Sequence, residues 1–215
     1  MLESLPVPAK PPKAELPQLP FASRRAFAAW LAKHHAKSPG LWLALAKQDA
    51  KKDSGVQSVT YPEAVEVALC WGWIDGQGRG LDASWWLQRF TPRGARSIWS
   101  RINRDRALRL IDDGAMKPPG LAAVRAAQAD GRWEAAYEPP SKAVVPEDLR
   151  AALARDRPAR TFFEALDGAN RYAILFRLHG AKKPETRARR LQQFLEMLRE
   201  GKTLHPRPVG RKPSR

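Results

Sequence analysis

The stretch Trp85-Trp86-Leu87-Gln88-Arg89-Phe90-Thr91 decides the fold. It is aromatic and β-prone, and a two-residue period puts Trp85, Leu87 and Arg89 on one face and Trp86, Gln88 and Phe90 on the other. A second stretch, Leu41 to Ala46, alternates Leu41, Leu43 and Leu45 with Trp42, Ala44 and Ala46, which also suits a strand. Between them, Thr60-Tyr61-Pro62-Glu63 reads as a capping box with proline in the first turn, opening a helix through Val65, Ala68 and Leu69. That helix runs into Trp71-Gly72-Trp73-Ile74-Asp75-Gly76, where it should turn into a short strand. Gly76 to Gly80 reads as a flexible loop before the strand at 85, and it lacks the strand–loop–helix setting of a nucleotide fingerprint.

Outward from this centre, Ser23 caps a helix with Phe27, Trp30 and Leu31 on its apolar face. Beyond Pro92 the pattern changes to helix, over about 98–113, 118–130, 146–155, 159–167, 170–179 and 185–200. Gly114, Gly131, Gly168, Gly180 and Gly201 stand where C-terminal caps belong. In the last helix Ala188, Leu191, Leu195 and Leu198 form an apolar stripe. The expectation is an α+β fold: a small antiparallel sheet with packed helices in the N-terminal half and a helical C-terminal half. The domain would cover 21–203, with an α+β part at 21–115 and a helical part at 116–203. A proline-rich disordered leader (1–20) and a basic disordered tail (204–215) would flank it.

The 215 residues carry 38 Lys+Arg against 22 Asp+Glu, a formal charge of +16. The excess is local: +5 over 21–60, +6 over 84–110 and +8 over 181–215, of which +5 lies in 201–215, with −3 over 61–83 between the first two. A single cysteine, Cys70, excludes an intramolecular disulfide framework, and four scattered histidines argue against a zinc site. No apolar run has the length of a membrane helix, and the first residues have neither the basic nor the apolar part of a signal peptide. A cytoplasmic protein is therefore expected, with no cofactor. Neither an oligomeric state nor a catalytic group is legible. Cys70 sits between Leu69 and Trp71 as a small hydrophobe would, and no base is placed beside it by sequence.

Three strings stand out by rarity: Ala68-Leu69-Cys70-Trp71-Gly72-Trp73-Ile74-Asp75-Gly76, Arg89-Phe90-Thr91-Pro92-Arg93, and Ser97-Ile98-Trp99-Ser100-Arg101-Ile102-Asn103. With Gly131-Arg132-Trp133, Ala136-Tyr137 and the run Ala181 to Arg190, they resemble the YdeI/OmpD-associated family, also described as bacteriocin-protection proteins. The resemblance spans roughly 21–203. It implies protection against bacteriocins or antimicrobial peptides and carries no catalytic residues over.

The residues give two further expectations. Asp75 needs a partner if buried, and an arginine on a neighbouring strand is the natural one, either as a structural pair or as part of a clamp. In the clamp, Arg89 and Arg93 would hold a carboxylate or phosphate, lined by Trp73 and Trp85 and positioned by Asp75. Ser97 or Ser100 would cap the next helix and, with Asn103, bring its N-terminus to the same corner. The occupant would be an anionic small molecule or an acidic partner segment. The alternative is nonspecific nucleic-acid binding through Arg187, Arg189 and Arg190 on the last helix and Arg207, Arg211 and Lys212 in the tail.

Overall fold

The computed structural model describes residues 15–49 and 55–206. They separate into two compact units, one running to Ile98 and including Asp105–Glu134, the other made of Trp99–Arg104 and the chain from Ala135 onward. The helix at 118–129 thus groups with the sheet rather than with the C-terminal helices.

The first unit holds a four-stranded sheet in the order β1-β2-β4-β3. The strands are β1 (Gln18–Pro20), β2 (Leu41–Ala46), β3 (Trp73–Gly80) and β4 (Trp85–Pro92). β4 pairs antiparallel with β2 and with β3, as the alternation of the two stretches implies. The surprise is β1, which falls in the leader and pairs parallel to β2. Its prolines do not prevent this. An edge strand leaves one row of backbone groups unused, and Pro17 needs only its carbonyl, which accepts from the Trp42 N–H at 2.8 Å. β3 also runs longer than expected. The segment read as a flexible loop, Gly76 to Gly80, is strand, and a bulge between Asp75 and Gly78 resets its register. The turn that follows is built by Asp82, whose Oδ1 accepts from the N–H groups of Ser84 and Trp85, both at 2.8 Å.

Helices α1 (Arg24–His34) and α2 (Tyr61–Cys70) cover one face of this sheet. Ser23 caps α1, and the Thr60–Glu63 capping box opens α2 with both reciprocal bonds in place. Phe27 meets Phe90 edge-on at 5.7 Å, Trp30 meets Trp73 at 5.9 Å, and Tyr61 tilts against Trp86 at 5.8 Å. Phe27, Leu31, Leu41, Leu43, Phe90 and Trp73 are all buried there. Helices α3 (Arg101–Asp112) and α4 (Pro118–Ala129) follow. α4 seats on the end of α2 by way of glycine: a Cβ at Gly120 would lie 2.4 Å from the Cys70 carbonyl oxygen. Glu66 of α2 ties the surface together, accepting from Arg24 at 2.7 Å and Arg109 at 2.5 Å.

The second unit is helical: α5 (Glu147–Ala154), α6 (Arg157–Glu164), α7 (Gly168–His179) and α8 (Pro184–Arg199). Leu149, Leu153, Phe163, Ile174, Leu178, Phe194, Leu195 and Leu198 form its core. The stripe on α8 is rotated slightly from expectation, since Phe194 is buried and Ala188 exposed. α6 and α7 begin two residues early because Asp156 and Asp167 cap them, accepting from Ala159 at 3.1 Å and Asn170 at 2.7 Å. Gly168 therefore opens α7 instead of closing α6. Residues 204–206 belong to the packed unit, unlike the expected tail: Leu204 lies against the core and His205 is bound by Asn170. The remainder of the leader and of the tail, Arg207, Arg211 and Lys212 included, lies outside the described residues.

Candidate functional site

The strand register sorts the expected site residues onto opposite faces. Asp75 stands opposite Phe90, and Arg89 opposite Trp42. Successive residues of a strand point to opposite sides, so Asp75 and Trp73 belong with Phe90 under the helices, and Arg89 and Trp85 belong with Trp42 on the other face. The expected Asp75–Arg89 pair is therefore absent; the thickness of the sheet lies between the two groups. Asp75 is instead held by the Tyr61 hydroxyl, which donates to Oδ2 at 2.7 Å. Trp73 is sealed in the core. It is 1% exposed, and its indole N–H donates to the His35 carbonyl at 3.3 Å.

At the corner expected of Arg93, Ser97 and Asn103, all three residues make local bonds. Arg93 donates to the Ile98 carbonyl at 3.3 Å, and its backbone N–H reaches the Gly72 carbonyl at 2.9 Å. Ser97 is not a helix cap: its hydroxyl accepts from the Gly94 N–H at 3.0 Å in a turn, while its carbonyl accepts from Arg132 at 2.8 Å. Ser100 is the residue that caps α3, accepting from the Asn103 N–H at 3.1 Å, and Asn103 groups with the second unit.

What remains is the half-exposed face of the sheet, with Trp42, Trp85, Arg79 and Arg89. Arg79 stands opposite Leu87 on β4, and its guanidinium reaches diagonally over the Trp42 ring, 4.5 Å from the centroid. Leu87, on this same face, is 1% exposed although it points away from the helices. Arg89 lies flat over the bulge, so that a Cβ at Gly76 would sit 3.0 Å from its Nε. That Nε is out of contact with solvent and has no hydrogen-bond partner among the described residues. Neither Arg79 nor Arg89 has a carboxylate partner there. Trp42 and Arg79 were missed from the sequence. The signal for Arg79 was its place three residues before Asp82, whose turn puts it in the same hairpin as Arg89.

The basic helix is less available than its composition suggests. Arg187 makes a two-pronged pair with Asp148, at 2.6 and 2.9 Å, and donates a third bond to the Leu178 carbonyl at 2.9 Å. The hydrogen bonds from Arg187 hold the Asp148 carboxyl below the usual carboxylate range and push Arg187 further up. Arg190 is bound to the Arg177 carbonyl at 2.6 Å; Arg189 is exposed. Cys70 is buried, and desolvation raises its thiol above the ordinary value, the opposite of an activated nucleophile. Among the described residues, no cluster of His, Cys, Asp or Glu is placed to hold a metal, and no helix is long and apolar enough to cross a membrane.

Two family models match the chain. Residues 19–123, which contain the sheet except Gln18, match a family described only as a domain of unknown function. Residues 142–201 match the family described as bacteriocin-protection, YdeI or OmpD-associated. Searches of curated proteins and of solved structures give no match. The three rare strings between Ala68 and Asn103 thus fall under the first model, and the run from Ala181 to Arg190 under the second. Over residues 142–201, in its helical C-terminal unit, the chain is thus similar to the YdeI/OmpD-associated, bacteriocin-protection family, a match to part of the chain.

Proposed function

We propose that this is a non-catalytic, cytoplasmic protection protein whose sheet-bearing unit binds an anionic group on a partner. The supporting observation is the pair of guanidiniums on the half-exposed sheet face. Arg79 is poised over Trp42 at 4.5 Å, Arg89 stands opposite Trp42 in the strand register, and among the described residues neither is paired with a carboxylate. Guanidiniums match carboxylates and phosphates in shape, and flanking indoles lower the local dielectric around the contact. A chain of charge +16 repels a cationic peptide, so protection by this route is indirect and runs through an acidic partner segment.

Calorimetric titration with hexaglutamate at about 150 mM salt, where long-range attraction is screened, tests the reading. Binding should fall about tenfold or more in the Arg79→Ala, Arg89→Ala double variant, a loss of about 1.4 kcal/mol or more. Equal binding by that variant and the parent protein rejects this face as the site. If a thymidine octanucleotide binds and hexaglutamate does not, with affinity falling steeply in salt, the partner is nucleic acid and the acidic-segment reading fails.

A further inference from the structure

The second unit carries a groove that neither family description assigns. It has a volume of about 680 Å³ and runs along one face of α7, over Ala169, Tyr172, Ala173 and Phe176. Their spacing of three and four residues keeps them in line. From the start of α7 to Arg177 the groove spans about 13 Å at a rise of about 1.5 Å per residue. Pro140 forms one wall, and Arg177 and His205 complete the rim. The volume and the apolar floor suit a small organic ligand.

The walls are built in advance. The Tyr172 hydroxyl donates to the Glu138 carbonyl at 2.9 Å, and Phe176 is braced edge-on by Tyr137 at 4.9 Å. Asn170, 1% exposed, pins His205 from both sides: its Oδ1 accepts from the His205 N–H at 2.8 Å, and its Nδ2 donates to the His205 carbonyl at 3.3 Å. These bonds consume the polar atoms of Tyr172 and Asn170. Asp167, at the N-terminus of α7, is itself occupied by the backbone and side-chain N–H groups of Asn170. What stays unspent is donor capacity. Arg177 makes one long bond, to the Ala173 carbonyl at 3.3 Å, and the His205 ring has no partner among the described residues.

We propose that the α7 groove binds small amphipathic carboxylates, an aryl or alkyl body lying along Tyr172 and Phe176 and its carboxylate on Arg177, with His205 as a second donor. Apolar floor and cationic rim together select an acid over its neutral counterpart, since only the acid uses the unspent guanidinium. The groove lies in a different unit from the sheet face and does not depend on the function proposed for it.

Calorimetry of the full chain with 4-phenylbutyrate and with 4-phenylbutan-1-ol separates the two contributions. The acid should bind about tenfold more tightly than the alcohol. Arg177→Gln should remove that advantage and leave alcohol binding unchanged. Ala169→Trp, at an exposed position, should fill the floor and abolish both, with an unchanged circular dichroism spectrum and melting curve showing that the fold persists. The Arg79→Ala, Arg89→Ala variant should bind the acid as the parent does. No binding of the acid at ~5 mM, well above the millimolar limit of a weak site, overturns the proposal. So does an acid preference that survives Arg177→Gln, or binding lost with the sheet-face variant and kept with Ala169→Trp.

Discussion

The two faces of the sheet are made from the same strands and have opposite fates. Under α1 and α2, Trp73, Phe90 and Phe27 are sealed, and the one carboxylate there, Asp75, is satisfied by Tyr61. On the other face, tryptophans stay half-exposed and two guanidiniums have no acid to meet among the described residues. The difference teaches where to look for binding in a chain rich in tryptophan and arginine. A rare residue on the sealed face is accounted for by packing, whereas an unpaired cation on the open face has no structural duty beyond the contact it makes. Two arginines of the second unit are in the opposite state: Arg187 is spent on Asp148, as Arg199 is on Asp156.

The sharpest way to break this comparison is to truncate one tryptophan on each face. Trp73→Ala should cost about 3–5 kcal/mol, because it leaves a cavity among Trp30 and the α1 side chains, and Trp85→Ala should cost much less. Equilibrium denaturation of both variants measures this, and equal losses would mean that the second face is as closed as the first. Gly120→Ala tests the seat beneath the sealed face. A methyl group within 2.4 Å of the Cys70 carbonyl oxygen forces α4 off α2, at a cost of about 1–3 kcal/mol, read as a lower melting temperature. A loss under about 0.5 kcal/mol, the scatter of surface substitutions, would show that the two helices part easily.

The smallest expected effect separates paired from unpaired arginines. Asp148 has its pKa lowered in the folded chain by its hydrogen bonds with Arg187. Its contribution is therefore complete above the unfolded aspartate range and is lost as pH falls through the folded value, in the region below about pH 4. Because the pair is partly exposed, the effect should be about 1 kcal/mol or less. Asp148→Asn should remove this part of the acid sensitivity, which stability measured from pH 7 to 3 would reveal. An unchanged acid profile would show that the pair contributes nothing. The Arg79–Trp42 contact has no carboxylate and should not respond over that range.

Much of the fold was legible because it is local. Alternation set both faces of β4 and of β2, and the Thr60–Glu63 box placed the start of α2. The site was less legible because alternation defines two faces without saying which one the helices cover. Nor does local pattern show the bulge after Asp75, which decides what stands opposite Arg89. The Asp75–Arg89 expectation failed on the face assignment, and Arg79 was missed because glycines on both sides of it looked like a loop. β1 was hidden for a further reason. Its partner is more than twenty residues away, and nothing in Gln18-Leu19-Pro20 alone announces a parallel pairing.

The sheet order has a consequence for life in a crowded solution. A sheet that leaves tryptophans half-exposed invites other copies to add strands at its edges. Here one edge is β1, only three residues long and ending in Pro20, and the other is β3, bulged and interrupted by Gly76, Gly78 and Gly80. Both are poor templates for another chain's backbone. The open face can therefore offer its rings and guanidiniums to a ligand while the sheet itself resists growing into an aggregate.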